Sequence, residues 1–447
     1  MENASLPRKK VSRKVICLFG LILAGAIASG GYAVLREHDY LLAVSELQGA
    51  ISAYKRERLP WQAADFCIQM VPDKENAADE IKSALSRIPT AIYEESTSRY
   101  SGATGTDSSA VSTRSALKQL NLHKAAFDQM IKATQKPKLD FGRDWSQGTN
   151  VDMSNLKQLS WFVANLSLRF RLLTYLGRLD EALEHISAAW RLASLIRQEP
   201  SASSFQDSLR WETIILTNIS SQLPHFAGTE ADLDKVKKIL GARPAYDIGP
   251  AVRGYIFSEV VTARKLNTRR LSYNLPDSSK GLISSYTDQL SSNSLKKDAY
   301  YCRVLQATTE MGKVLNRTEL SDEDKISAIE KIRLSYRTKK GLSHEIIQPF
   351  DGVGSELLDL SVQARRTCLL ATIEAIRIKL RTNKVPNSIS AIPGEWPDPY
   401  RNAPISFARR DGRFVFYSVG PDRIDNGGKY QWTPKSQAID IGVVCPF

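Results

Sequence analysis

No metal or nucleophile motif marks this chain. Its five histidines, His38, His123, His185, His225 and His344, contain no HExxH pair. Its five cysteines, Cys17, Cys67, Cys302, Cys368 and Cys445, contain no CxxC pair. That pattern is not a metal signature, and His185, beside an apolar helical stripe, reads as a packing or surface residue. Glycine-rich Gly352-Val353-Gly354 lacks a following GK[ST] and a βαβ setting, so it reads as a helix start rather than a phosphate cradle. Ser355 and Ser418 stand in no nucleophile elbow. Glu181 and Glu184, three apart on one helix, are ordinary polar-face patterning. No catalytic residue and no cofactor-binding residue is assigned.

Charge of one sign is not scarce, but it is spread out. Net charge is +13, from 61 Lys and Arg against 48 Asp and Glu. Such a surface suits anionic lipid headgroups or an acidic partner. Without a zinc finger, an aromatic-basic platform or a DNA-reading helix, no nucleic acid is expected as partner. No small-molecule substrate is defined. Four cysteines outside the hydrophobic run allow up to two disulfides, although isolated buried thiols are the favoured reading.

What the chain does contain is one long uncharged run, Val15 to Leu35. Its length is enough for a helix to cross a bilayer. Arg8, Lys9, Lys10, Arg13 and Lys14 precede it, and Arg36 is soon balanced by Glu37 and Asp39. That bias places residues 1–14 in the cytoplasm as a basic tail and the rest outside. Ala26 and Ala28 would also serve as small residues ahead of a signal cleavage site. Apolar character continues through Val34 and Leu35, so the expectation is a retained single-pass anchor, 15–35, in a bacterial inner membrane with a periplasmic body.

Beyond the anchor the rhythm is helical. Helices are predicted to run on to Pro60, then at Ala77–Ile88, Val111–Thr134, 206–223, 231–241, 251–265, 297–315, 322–335 and Glu356–Lys379. The clearest pair lies at 154–199. Leu159, Phe162, Val163, Leu166, Phe170 and Leu173 form one stripe, and Ala182, Leu183, Ile186, Ala189, Trp190, Ala193 and Ile196 form a facing one. Gly177 is expected to take a left-handed turn between them, with Asp180 capping the second helix. Residues 95–110 and 266–294 are expected to be loops, and Pro349 with Gly352–Gly354 a break.

The last 60 residues or so carry a different pattern. Asn383-Lys384-Val385-Pro386 stops a helix, and Asp411-Gly412 predicts a two-residue hairpin turn joining Ile405–Arg410 to Arg413–Val419. One face of that hairpin should cover the preceding helix. Asp422, Asp425, Asn426 and Asp440 could gather hard oxygens, with Ser418 and loop carbonyls completing one structural Ca2+ site. The plain alternative is a polar turn capped by Asp side chains. Trp396, Tyr400 and Trp432 either line a binding surface or pack in the core.

Asp398-Pro399, Tyr417-Ser418-Val419-Gly420, Asp422, Asp425 and Asp440-Ile441 make this ending resemble the C-terminal region of type II secretion major pseudopilins. The resemblance implies a long helix, a small sheet and an acidic loop that binds calcium in that family. Asp180-Glu181-Ala182-Leu183, Glu199-Pro200 and Tyr417–Gly428 are similar to a group of membrane-anchored bacterial proteins of planctomycete and verrucomicrobial lineages. That second resemblance covers about 156–200 and 362–447. About 320 residues separate the hydrophobic run from the tail, and the pseudopilin processing pattern is missing, so filament assembly is not carried over.

The fold expected is mainly α: a single N-terminal transmembrane helix, a helical body of αα-hairpins at 36–350, and a small C-terminal α+β region at 355–447 with an antiparallel hairpin. The function expected is a membrane-anchored interaction or structural protein of the envelope, whose partners are the bilayer and another envelope protein. The alternative is an envelope enzyme or substrate-binding protein with a cleft in the helical body.

Overall fold

The computed structural model describes residues 38, 41–43, 45–62, 65, 71–89, 110–241, 249–273, 292–320, 322–338, 352–410, 413–429 and 440–445. The run Val15–Leu35, Cys17, Cys67, the Asp411-Gly412 turn, Trp432 and the loop stretches 95–109 and 274–291 lie outside them. Among the described residues no helix is long and apolar enough to cross a membrane. The chain is mainly helical with one small antiparallel sheet. It divides into two compact units, residues 1–59 with 260–310, and residues 60–259 with 311–447.

The larger unit begins with α1 (Ala78–Ser86), α2 (Ala110–Asn121) and α3 (Lys124–Ala133). The expected single helix over 111–134 is thus two. The chain turns at Leu122, which is exposed, and His123, so that α3 packs on α1 while α2 packs on the next long helix. That helix, α4 (Asn155–Tyr175), and α5 (Leu179–Ile196) form the antiparallel pair. Every member of the α4 stripe named above is fully buried, as are Ala182, Ile186, Ala189, Ala193 and Ile196. Each large apolar side chain so buried contributes about 1.5–3 kcal/mol.

Gly177 stands at φ +72°. Its N–H reaches the Thr174 carbonyl at 3.0 Å, and the Arg178 N–H reaches Leu173 at 2.9 Å, the paired bonds of a Schellman ending. Asp180 does not cap α5. The cap position falls two residues earlier, on Arg178, with no side-chain cap, and the helix starts at Leu179. Asp180 sits in the first turn, where a negative charge suits the helix dipole, and binds Lys235 at 2.5 Å.

α6 (Ala202–Phe226) packs on both members of the pair, and α7 (Glu230–Gly241) follows it. α8 (Gly249–Tyr273), α9 (Ser292–Leu315), α10 (Asp322–Thr338) and α11 (Gly352–Thr382) complete the helical order. Residues 266–273, expected as loop, prolong α8, whereas Gly352–Gly354 form the first turn of α11, a helix start four residues ahead of the expected Glu356.

β1 (Ser406–Arg410) and β2 (Arg413–Ser418) pair antiparallel with Phe407 opposite Phe416, one residue shorter at each outer end than expected. β3 (Ile441–Val444), which the residue pattern did not announce, adds to the other edge of β2. α11 packs against β2 and β3, covering the sheet as the hairpin required. Tyr400 is buried with Ala364, Val419 and Ile441 and shares a 2.8 Å hydrogen bond with Ser361, so it belongs to the core. Trp396 is half-buried and donates to the Ile392 carbonyl.

In the smaller unit the described helix at 45–56 ends at a turn containing Arg58, at φ +54°, before Pro60 is reached. Tyr54, Val260, Tyr301 and Leu305 are buried there. Cys302, Cys368 and Cys445 are buried, and among the described residues they form no disulfide. Burial raises the Cys302 thiol and, more strongly, that of Cys368.

Candidate functional site

The functional geometry of the larger unit gathers around residues 141–155. Lys136 and Asp140 fasten the approach to this segment. Lys136 pairs with Glu80 at 2.5 Å, and the Asn76 side chain bonds both the Asp140 N–H and the Asp140 carbonyl. Gly142 then turns the chain at φ +65°. A 3-10 helix, Trp145–Asn150, follows, with the Asp144 carboxylate accepting from the Ser146 N–H at 3.0 Å. Gly148, at φ +64° and ψ −128°, lets the backbone double back within it.

Arg143 holds this segment against the end of α5. Its guanidinium donates to both Glu199 oxygens, at 2.6 and 3.3 Å, to the Asn155 side chain at 2.7 Å and to the Asp152 carbonyl. Glu199 also accepts from the Ser204 hydroxyl at 2.6 Å. Both charged side chains are almost fully buried. Every bond is charge-assisted and the fork is bidentate, so the pair sets the position of the loop closely. Two residues earlier Arg197 reaches Glu212 at 2.6 Å and Ser208 at 3.2 Å, a second buried ion pair on the same helix end.

The braced segment is two-sided. Asp144, Gln147, Asn150 and Asp152 line an open groove of about 810 Å³, whose opposite bank is Lys82, Leu85, Ser86, Ile88 and Pro89. Trp145, Gly148, Val151 and Met153 line a smaller cavity of about 150 Å³ behind it. The groove is wide and of mixed character, with Leu85, Ile88, Pro89 and Phe141 beside its polar groups, so it can hold a segment carrying both apolar and hydrogen-bonding groups.

His185 was read as a packing or surface residue and is a core residue. Burial and the nearby Arg169 charge hold its imidazole down to about 3, so the neutral ring accepts from Arg169 at 3.3 Å. Arg169 also lies over the Phe127 ring.

The five expected calcium ligands are all found near the end of β2 and the loop after it, or at the head of β3. Ser418 is fully buried and donates to Asp398 at 2.6 Å. Both Asp440 oxygens accept backbone N–H groups, of Asn426 at 3.2 Å and Gly428 at 2.7 Å. Asp425 accepts from Tyr417 and the Gly427 N–H, and Asp422 from the Ile424 N–H and the Asn426 amide. Burial, together with the charges of Asp425 and Asp422, raises the Asp440 carboxyl. Among the described residues no three His, Cys, Asp or Glu side chains converge as a metal group. As placed, these carboxylates accept N–H groups of the turn itself.

Sequence reading missed three residues here. Asp398 ties the tail together, accepting from Ser418, the Val419 N–H and the Tyr400 N–H. Its Asp-Pro-Tyr setting was the available signal. Arg143 and Glu199 are 56 residues apart, and nothing local in either announces the pair. No protein-family model, curated protein or solved structure matches the chain.

Proposed function

We propose that this is a membrane-anchored bacterial-envelope protein whose helical body works outside the cytoplasm as an interaction module rather than as an enzyme. The anchor is the uncharged run Val15–Leu35 with its basic leading flank. The observation that carries the reading is the groove between α1 and the 141–155 segment. Arg143, one of the charged residues in its lining, is committed to Glu199, Asn155 and Asp152 and so shapes the wall instead of serving as a free reactive group. The groove offers amide, hydroxyl and carboxylate groups on one bank and Leu85, Ile88 and Pro89 on the other, which suits an extended amphipathic segment of another envelope protein.

Site-specific photocrosslinking tests this. A photoreactive residue at half-buried Gln158, on the groove, should yield one discrete adduct in intact cells. The same residue at exposed Lys238 should not. Equal labelling from both positions, or none from Gln158, would overturn the reading.

A further inference from the structure

The smaller cavity behind the wall holds an acid with no partner. Glu259 lies on α8 and lines this space together with Trp145, Tyr255, Phe257 and Ser201. It is only 4% exposed. Among the described residues it has neither hydrogen bond nor ion pair. It is the one charged side chain in the lining, and Tyr255 is the only other titratable one. α8 is pressed close here: a Cβ on Gly254 would stand 1.8 Å from the Pro200 carbonyl oxygen. The cavity is thus built by tight packing and is not a gap at a loose surface.

A buried carboxylate without a partner is costly, and native interiors satisfy or neutralise such groups. Burial alone raises Glu259 to about 8. Aromatic faces beside a carboxylate are the surroundings in which an organic cation is held, by the ring quadrupole as well as by the charge. A volume of about 150 Å³ admits a molecule of roughly six or seven heavy atoms, since an apolar cavity of about that size takes benzene.

We propose that the Glu259 cavity is a binding site for a small organic ammonium ion, distinct from the groove. Glu259 supplies the counter-charge, and the rings of Trp145, Tyr255 and Phe257 enclose the alkyl groups. A neutral guest of the same shape would fill the space but leave the acid uncompensated.

Calorimetric titration of the purified full-length chain with choline, and with its uncharged isostere 3,3-dimethyl-1-butanol, is the test. Choline should bind at least about ten-fold more tightly than the alcohol. Because the cation must displace the proton on Glu259, choline affinity should rise by up to roughly 100-fold from about pH 6 to about pH 9, whereas the alcohol's should not. E259Q should lose the preference for choline and E259D should keep it, with melting curves verifying that both variants fold. Equal affinity for the two guests, an undiminished preference in E259Q, or no choline binding by the wild-type chain would each overturn the site.

Discussion

His185 and Glu259 are both buried, and they titrate in opposite senses. The imidazole of His185 is held down to about 3 from an ordinary 6.5 by burial, with the Arg169 charge adding to it. The unfolded chain therefore binds this proton first, and stability falls as pH drops from about 6.5 toward about 3. Glu259 is raised to about 8 from 4.5 by burial. Here the folded chain binds the proton first, so stability falls as pH climbs from about 4.5 to about 8. Between about 4.5 and 6.5 the two slopes cancel, and a plateau is expected. E259Q should gain on the wild type by a few kcal/mol across the alkaline limb and should leave the acid limb in place. Urea melts at a series of pH values measure the difference; a gap that does not change with pH would contradict it. Neither residue announced this role in the sequence. His185 stood beside an apolar stripe and Glu259 inside a helical rhythm, and burial of a polar side chain is decided by neighbours far along the chain.

At the scale of elements, legibility followed locality. The α4–α5 pair was readable because its apolar steps of three and four and its Gly177 turn all lie within about 45 residues. The break between α2 and α3 was not. Asn121-Leu122-His123 contains neither glycine nor proline, and the turn serves packing on two different partners. β3 was missed because a four-residue strand gains its meaning only from β2 beside it. Two readings were open for the tail's acidic loop, an ion site and an Asp-capped turn, and its carboxylates accept the turn's own N–H groups. Gly427 and Gly428 stand at φ +67° and +74°, and a Cβ on Gly428 would press on the Tyr417 ring. Their backbone N–H groups point at Asp425 and Asp440, which spends those carboxylates on the turn. Calcium added to the full-length chain is therefore expected to leave its melting temperature unchanged, and D440N to lower that temperature with or without calcium. A calcium-dependent rise that D440N abolishes would contradict this and restore an ion to the loop.

Over the whole molecule, a helical body built on buried ion pairs and a groove is coupled in sequence to a basic, then uncharged, N-terminus. The two compact units each draw on both sides of α8 and α9, since residues 260–310 belong with the N-terminal 59. The ending is a long helix covered by a small sheet, and a fold of that kind does not by itself assign a function. The proposed function also requires the geography, because an interaction module of the envelope must stand where envelope partners are. The direct measurement is a topology reporter fused after Phe447 and assayed in intact cells alongside membrane fractionation. Reporter activity outside the cytoplasm, with the chain released from membranes only by detergent, is the expected result. A cytoplasmic signal from a chain that fractionates with the cytosol would contradict it.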